Sequence, residues 1–581
     1  MEQSRIVMRG MLFSYNTALV NKGGAALAHD NSEMNVTSTT VTDNAATRGG
    51  GFMVQFSSVL RLTGDVRVVK CVALYGGAGY GFMDSTIELS GTIVVDDNVA
   101  ASFGAGFMNY YGRRFIASGE VSISNNAVVG GIGGTGAIYS SFGMVLELYD
   151  GVKVSNNIAQ DRGGGCYVDN PGSVLFATGV IFDNNHALEG GGGALMNEEG
   201  GSIFIYRSTL SNNSAHRGGG LFDDGNIPEF GSLVVEDSVF VNNVAHGEEG
   251  GGARFFGRPT RVTRVDFSNN TAAFGSGGGA VVGSGTLANF HDCTFVGNVA
   301  LKGGALSGNG EGAVVQVVST TFRRNFAFLE GGGILVTGAV ALTVNNSKIV
   351  NGMTDGDGGG MSTRGQTVVT LVGNVVISDC ESKGMGGGVL AAGADLIVAS
   401  TVDTSLVVAN NRAKMGGGIA FMGGMSLGGE GVSQVHGNLA SGNGGGLYGF
   451  STFARLNAAS EHMLSIQDNV ANGDGGGIGL DQGAQFLVSA PQCSPACTNS
   501  MRNNGVCNHG CLTAGCNWDD GECNHLFTRA GEDAVKSCVC ATVYFYPTNL
   551  ISCDDMQSNT AGCFTAACDW MPFNPYCEVI E

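Results

Sequence analysis

Asparagine and glycine recur along this chain at an almost constant spacing, and this repeat limits the possible folds more than any other feature. Residues 182–197 read FDNNHALEGGGGALMN, and residues 210–222, 240–252 and 267–279 repeat the order of Asn pair, small residue and glycine cluster. Seventeen positions mark the repeat, with gaps of 26 to 31 residues. They are Asn16, Asn44, Cys71, Asn98, Asn126, Asn157, Asn185, Asn213, Asn243, Asn270, Asn298, Asn325, Asn351, Cys380, Asn411, Asn438 and Asn469. Such self-similarity indicates a solenoid or repeat array.

The segments between the glycine clusters have the pattern of strands. Residues 232–243, SLVVEDSVFVNN, alternate polar and apolar residues, as half-buried strands do. Recurrent glycine clusters would interrupt most helices. With 98 Gly and 8 Pro in the chain, we expect glycine to form the corners, because it reaches positive φ without steric cost. Three short strands and three corners per repeat predict an all-β chain with one parallel β-helix over residues 1–488.

The repeated asparagines have a physical role in such a fold. Equivalent residues of stacked coils lie one strand spacing apart, about 4.8 Å. A side-chain amide both donates and accepts, so asparagines can hydrogen-bond along the axis and to corner backbone groups. We therefore predict one buried column of Asn side chains, in which Cys71 and Cys380 are small, buriable replacements.

Two short motifs within the repeat resemble a known family. Residues 295–307, FVGNVALKGGALS, combine an FxxN and a GGA[ILV] element, and FDNN, FSNN and FRRN repeat the first one. Over about residues 10–480 the chain resembles the polymorphic outer-membrane protein repeats of chlamydiae, which are β-helical adhesins, and similar repeats of right-handed β-helix proteins. The resemblance implies a single-stranded right-handed parallel β-helix, here of about 17 coils, and an adhesive role.

Charge and hydropathy exclude several classes of partner. The formal net charge is −21 and the sequence pI is about 4.7, which argues against binding to nucleic acid or to anionic membranes. No run of eighteen apolar residues exists, so the sequence predicts no transmembrane helix in this chain. The first sixteen residues lack the continuous apolar region of a signal peptide. Because open solenoid ends are normally capped, we expect the N-terminus to be incomplete.

Cysteine is concentrated after the repeats. Twelve of the 16 cysteines follow residue 492, a density typical of a disulfide scaffold or a metal cluster. The segment CSPACTNSMRNNGVCNHGCLTAGCNWDDGEC, residues 493–523, has no CxxC unit of the zinc type. Its cysteine spacing and its NGVC and WDDGEC elements resemble the Notch-type repeat (LNR), a small disulfide-bonded module that binds calcium.

The LNR resemblance implies particular roles for residues of this segment. It implies the disulfides Cys493–Cys516, Cys497–Cys511 and Cys507–Cys523. It also implies Asn504, Asp519 and Glu522 as metal ligands, and hard oxygen ligands of this kind suit Ca²⁺. Two positions depart from the family, because Met501 stands where an acid is frequent and Asp520 replaces a glycine. The remaining interpretation is a disulfide knot whose acids face solvent.

A second cysteine-rich segment, residues 538–577, resembles a degenerate copy of the first. Its CFTAACDW repeats the Cys spacing of CLTAGCNW, but the acids of the first copy are missing. We expect disulfides here without calcium. An even number of cysteines at this density predicts an oxidising compartment.

Histidine and acid pairs in the repeats are the candidate sites outside the cysteine-rich region. His216 and His246 hold the same phase in adjacent coils, near Glu248 and Glu249. They could bind a metal, but two exposed corner residues is the simpler interpretation. Pectate-lyase-like β-helices are enzymes that group acids across coils. Asp223 and Asp224 form a local acid pair, yet the matched positions of the neighbouring coils are not acidic.

Two functional classes follow from these observations. The favoured prediction is a non-enzymatic structural or adhesive repeat protein, extracellular or at a cell surface, with a calcium-binding disulfide-rich module. Its expected partner is a protein or glycan of a cell surface or matrix, with no nucleic acid. The alternative is a pectate-lyase-like enzyme that acts on polysaccharide.

Overall fold

All regular structure in the described residues is β-strand. The computed structural model describes residues 4–130, 134–225, 231–400, 405–422, 425–450, 453–482 and 484–489. These residues form a parallel β-helix of about 16 turns, which confirms the predicted fold class; seventeen repeat positions bound sixteen turns. By contacts the chain divides into two compact units, Met1–Gln316 and Val317–Glu581.

The first unit has three parallel sheets. Sheet A consists of Arg5–Arg9, Leu12–Ser14, Glu33–Thr42, Val59–Val69, Thr86–Asp96, Arg114–Ser118, Val121–Ser124, Val145–Leu148, Val152–Ser155, Val174–Thr178, Ile181–Asp183, Ser202–Tyr206, Thr209–Ser211, Leu233–Glu236, Val239–Val241, Thr260–Thr263, Asp266–Ser268, Leu287–His291 and Thr294–Val296. Sheet B consists of Thr17–Lys22, Ala45–Arg48, Val72–Tyr75, Val99–Phe103, Ala127–Val128, Ile158–Ala159, His186–Gly191, Ser214–Arg217, Val244–Ala245, Thr271–Ser276 and Val299–Lys302. Sheet C consists of Ala26–Ala28, Phe52–Gln55, Gly79–Phe82, Phe107–Tyr110, Ile138–Ser141, Cys166–Asp169, Leu195–Asn197, Leu221–Asp223, Ala253–Phe255, Ala280–Val282 and Leu306–Asn309. The strand Val314–Val318 includes the division between the units.

The second unit has three sheets of the same kind. Its sheet A strands are Thr321–Arg323, Ala341–Asn345, Lys348–Val350, Val368–Val372, Val375–Ser378, Asp395–Ser400, Ser405–Ala409, Met425–His436, Phe453–Gln467 and Gln485–Ser489. Its sheet B strands are Phe326–Glu330, Met353–Thr354, Glu381–Ser382, Arg412–Ala413, Leu439–Ala440 and Val470–Ala471. Its sheet C strands are Ile334–Thr337, Met361–Arg364, Val389–Ala392, Ile419–Phe421, Leu447–Phe450 and Ile478–Asp481.

Each coil runs through the sheets in the order C, A, B, and the parallel register stacks equivalent residues. The Phe of the FxxN element shows this register: Phe182 pairs with Leu210, Leu210 with Phe240, and Phe240 with Phe267. All four side chains are buried, and the Phe240 and Phe267 ring centroids are 5.0 Å apart. The FxxN motif is thus a column of the hydrophobic core followed, three residues later, by the asparagine column.

The two asparagines of each Asn pair have different structural roles at the corner between sheets A and B. The first, as in Asn212, has a φ of 56° and is exposed; Asn tolerates this left-handed conformation better than most residues. The second, Asn213, is fully buried. We expected glycine to form the corners, but at this corner a non-glycine residue usually turns the chain.

Glycine forms the corner between sheets B and C, for two separate reasons. Gly192 has a φ of 70°, where a side chain would be strained. Gly193 has no space for one, because a Cβ there would lie 2.2 Å from the carbonyl oxygen of Gly219 in the next coil. Two consecutive glycines therefore satisfy a conformational and a steric requirement in turn.

The asparagine column of the first unit is buried from Asn44 to Asn298, as predicted, whereas Asn16 at its start is exposed. The backbone N–H and Nδ2 of Asn185 both donate to Oδ1 of Asn213, at 2.9 and 3.0 Å. The same two groups of Asn213 donate to Oδ1 of Asn243, and its Nδ2 also donates to the Phe182 carbonyl oxygen. This pattern forms one run through Asn98, Asn126, Asn157, Asn185, Asn213, Asn243, Asn270 and Asn298.

The second unit has a shorter column, and one predicted position in it was wrong. Asn411 donates to Asn438, and Asn438 to Asn469. Asn351 is not in the column, because Met353 pairs with Phe326 and with Glu381, which aligns Gly352 with Asn325 and Cys380. Asn351 is instead the left-handed corner residue, with a φ of 55°.

Candidate functional site

The residues predicted from the LNR resemblance lie outside the described part of the chain. These are the ligands Asn504, Asp519 and Glu522, the six cysteines of residues 493–523, and the segment 538–577. In the described residues no group of three or more His, Cys, Asp or Glu could hold a metal ion.

The acid pair that suggested an enzyme is divided between the interior and the surface. Asp223 is fully buried and pairs with Arg258, which is also fully buried. Nε of Arg258 donates to Oδ2 of Asp223 at 3.0 Å, its Nη2 donates to Oδ1, and its Nη1 donates to the Gly201 carbonyl oxygen. Nδ2 of Asn197 adds a donor to Oδ1 of Asp223 at 2.7 Å. Asp224 is half-buried. Because Asn197 pairs with Asp223, Asp224 is aligned with Glu198 of the preceding coil, so the expectation that the matched positions are not acidic was wrong there.

Burial and the ion pair change the pKa of Asp223 in opposite directions. Loss of water raises the pKa of its carboxyl, and the guanidinium of Arg258 opposes this rise. Both carboxylate oxygens already accept hydrogen bonds, so the group is not available to a substrate. The sequence analysis did not identify Arg258. The feature that could have indicated it is an isolated Arg between Gly257 and Pro259, in the coil that follows Asp223.

The two histidines are placed as expected but share no ligand. His246 N donates to the carbonyl oxygen of Ala215, so His216 and His246 hold equivalent positions in adjacent coils. His246 is exposed, and the ring of His216 covers Gly247, where a Cβ would lie 2.2 Å from its Nε2. Nearby, Glu248 pairs with Arg217. These contacts suit surface residues that pack between coils.

A network of tyrosines and carboxylates lies at the end of sheet C in the first unit. Tyr167 Oη donates to Glu198 Oε2 at 2.6 Å, and Arg162 Nη1 donates to both groups, at 2.9 and 2.6 Å. Tyr139 Oη donates to Asp169 Oδ2 at 3.0 Å. Burial raises the pKa of Glu198 and of Asp169, although the hydroxyl and guanidinium contacts oppose this. One oxygen of each carboxylate thus already accepts a hydrogen bond from the protein.

The four cysteines of the described residues are reduced and buried. They are Cys71, Cys166, Cys293 and Cys380. Burial raises the pKa of Cys71 and Cys293 to about 11 and that of Cys380 to about 12. Thiols of this kind are inert at neutral pH, because the thiolate is the reactive form.

An exposed aromatic cleft lies at the turns between sheets C and A of the first unit. We define the aromatic cleft by its lining residues Phe56, Met83, Asp84, Tyr111, Arg113 and Phe142; its volume is about 570 Å³. The rings of Tyr111 and Phe142 stack with centroids 4.2 Å apart and an angle of 13°. Both remain accessible, with exposed fractions of 44% and 39%.

The backbone of these turns is held in a conformation that large residues disfavour. Phe56, Met83, Tyr111 and Phe142 have φ values of 54°, 45°, 53° and 59°, and the left-handed region costs about 1–2 kcal/mol per residue with a side chain. At the same turn of later coils stand Asn170, Glu199, Gly257 and Gly285, also with positive φ. Four successive coils therefore keep large apolar side chains where smaller or more polar residues occur elsewhere.

Two charged groups of the cleft are available to a ligand. Asp84 and Arg113 are exposed, and within the described part of the chain their side chains form no hydrogen bond or ion pair. Aromatic side chains beside a small number of unpaired polar groups are features that many ligand sites share.

Comparison with known families identifies one module of the chain. Residues 490–524 match the Notch family, LNR domain, and this match contains the whole of the repeat predicted at 493–523. Neither a curated protein nor a solved structure matches the chain. The described residues contain no helix long and apolar enough to cross a membrane.

Proposed function

We propose that this chain is an extracellular or cell-surface repeat protein that acts as a structural and adhesive element, with a calcium-binding LNR module. The LNR match at residues 490–524 carries the proposal, because a small disulfide scaffold requires an oxidising compartment. The FxxN and GGA[ILV] motifs, which resemble the repeats of β-helical adhesins, support the adhesive part.

The donor set of the module fits calcium. Asn504, Asp519 and Glu522 offer an amide and two carboxylates, and Ca²⁺ takes six to eight oxygen ligands, so backbone carbonyls and water would complete the shell. Thirty-one residues bury too little apolar surface to fold alone. Bound Ca²⁺ would therefore stabilise the folded module and the pairing of its cysteines.

We propose that the chain has no catalytic activity on polysaccharides. Asp223 is enclosed with Arg258, and hydroxyl and guanidinium donors engage the carboxylates of Asp169 and Glu198. The expected result is no release of reducing ends from pectin or alginate. Cleavage that is lost in the D223N/D224N variant would support the enzyme instead.

The adhesive role is tested by binding of the purified full chain to a panel of cell surfaces and matrix proteins. We expect saturable binding to at least one surface and none after the chain is heat-unfolded. An absence of saturable binding to every surface would remove adhesion from the proposal.

The calcium module is tested by disulfide mapping of the full chain after oxidative refolding. With Ca²⁺ we expect one dominant pairing within residues 493–523, and with EDTA several. Asp519→Ala should give the mixed pairing even with Ca²⁺, whereas Asp520→Ala, at a position where the family has a glycine, should not. One identical pairing with and without the ion would leave a disulfide knot without calcium.

A further inference from the structure

The aromatic cleft faces solvent along a line of successive coils, which suits an extended ligand. Its residues come from consecutive turns, and backbone bonds such as Phe56 N to Phe82 O and Asp84 N to Tyr111 O join each turn to the next. Equivalent residues are therefore spaced by about 4.8 Å along the axis. A ligand that contacts Phe56 and Phe142 together must span several turns.

The cleft cannot bind a peptide by adding it as a strand. That mode requires free backbone N–H and C=O groups, and in these turns the N–H groups of Phe56, Ser57, Met83 and Asp84 already donate to the next coil. Binding must therefore use side chains, namely the ring surface that the Tyr111–Phe142 stack leaves exposed, one carboxylate and one guanidinium.

A carbohydrate has the matching chemistry. One face of a pyranose ring presents C–H groups, which pack on the electron-rich face of an aromatic ring. Its hydroxyls donate to a carboxylate such as Asp84 and accept from a guanidinium such as Arg113. The net charge of −21 argues against nucleic acid, the other polymer that stacks on aromatic rings.

We propose that the aromatic cleft binds an extended glycan of hexopyranose units, in which a sugar ring packs on an exposed outer face of the Tyr111–Phe142 ring pair and hydroxyls bind Asp84 and Arg113. This inference rests on the proposed adhesive function and names the class of its ligand. The same turn has a positive φ in coils without the cleft, as at Asn170, so the left-handed backbone belongs to the turn. Tyr111 and Phe142 keep large rings at positions where glycine or asparagine would be less strained.

The turn conformation also provides a clean test. Tyr111→Gly and Phe142→Gly remove the rings and relieve the positive φ, so these variants should fold at least as well as the parent. Phe274, with 76% exposure on sheet B, gives the matched control Phe274→Ala, which removes an exposed ring outside the cleft.

The experiment screens the full chain on an array of neutral and acidic oligosaccharides and measures Kd for the best array ligand by calorimetry. We expect each glycine variant to weaken binding about tenfold or more, Asp84→Asn and Arg113→Gln to weaken it less, and Phe274→Ala to leave it unchanged. Thermal unfolding confirms that the variants are folded.

Three outcomes would overturn the glycan site. They are binding to no array glycan, glycan binding that both glycine variants retain, and glycan binding that Phe274→Ala weakens equally. If the chain binds cells but no glycan, or binds proteins through the cleft, adhesion stands and only the ligand class is wrong. If it binds glycans in solution but no cell surface or matrix, the adhesive function fails and the site stands.

Discussion

The two units differ in how many successive coils carry asparagine at the buried corner between sheets A and B. In the first unit eight asparagines from Asn98 to Asn298 form an unbroken run. In the second, Gly352 and Cys380 interrupt the column, and the run continues from Asn411 to Asn469. An amide accepts from the coil before it and donates to the coil after it. Sγ of Cys380 also accepts from the backbone N–H groups of Asn351 and Gly352, but its own donor contacts are long, to carbonyl oxygens at 3.2 and 3.7 Å. Asparagine therefore couples neighbouring coils through its side-chain amide as well as its backbone N–H, whereas Cys380 donates to the next coil through its backbone N–H alone.

The buried ion pair is a second difference, and its loss should have the largest effect. No fully buried pair like Asp223–Arg258 occurs in the described part of the second unit. Arg258→Met should lower the free energy of unfolding near Asp223 by about 3–5 kcal/mol, because it leaves a buried carboxylate without its partner. The measurement is the urea midpoint for alkylation of Cys166 and Cys293, thiols of the first unit.

Two variants show whether burial causes the effect. Arg261→Met removes a guanidinium that is 60% exposed and pairs with Glu236, and should change the midpoints little. Asp223→Leu combined with Arg258→Met should recover most of the loss. If Arg258→Met leaves the midpoints of Cys166 and Cys293 unchanged, the pair does not stabilise the first unit.

Asparagine deletions measure the coupling directly. Asn213→Ala leaves two donors of Asn185 without their acceptor, and we expect a loss of roughly 2 kcal/mol or more. Asn411→Ala leaves one such donor, the Cys380 N–H, and should cost about half as much. The midpoints of Cys293 and Cys380 report the two units. Equal losses would show that the run adds nothing beyond single bonds.

Replacing a cysteine of the column with asparagine should increase stability by less than the asparagine deletions decrease it. Cys71 lies between Asn44 and Asn98 in the column, and Cys71→Asn would let the run continue through it, for about 1 kcal/mol of stability. Cys380→Asn gains less, because Gly352 on one side has no side chain. Gly352→Asn should destabilise, since a Cβ there would lie 2.4 Å from the Gly359 carbonyl oxygen. Thermal unfolding ranks the three variants, and a different order would contradict the coupling.

The smallest effect concerns pH and Glu198. Burial raises its pKa in the folded first unit, so the folded state holds the proton more tightly than the unfolded state. As pH rises from the unfolded value, about 4.3, through the raised value, the ionised carboxylate costs stability. The stability of Glu198→Gln relative to the parent should therefore increase with pH, measured as the difference in urea midpoint by circular dichroism between pH 5 and pH 8. A constant difference would show that the folded pKa is unchanged.

The β-helix and most of its asparagine column could be predicted because the motifs repeat. A single short motif is weak evidence for a fold, but the same motif at a constant spacing in many coils is strong evidence. The spacing of FxxN would also have placed Gly352 correctly, since it stands three residues after the buried Ile349. Asn351 was assigned to the column wrongly because both corner positions favour Asn. One position favours it for its left-handed backbone conformation and the other for its side-chain amide.

Contacts that do not repeat were invisible in the sequence. Arg258 and Asp223 are 35 residues apart, farther than one repeat, and no periodic pattern joins them. The aromatic cleft was missed for a similar reason. Its rings occupy turn positions, where polar residues are expected, and stacking between coils shows only when the register is known.

The fixed asparagine corner has a consequence for how such chains diversify. The interval from the buried Phe to the buried Asn is three residues in every FxxN coil, whereas the interval from Asn to the left-handed Gly varies, as in Asn213 to Gly218 and Asn243 to Gly250. The corner is thus a position of constant spacing at which two coils can be aligned during recombination. Unequal recombination between two coils at this position inserts or deletes whole turns in frame with the core, and length changes elsewhere in a coil alter the surface without shifting the interior.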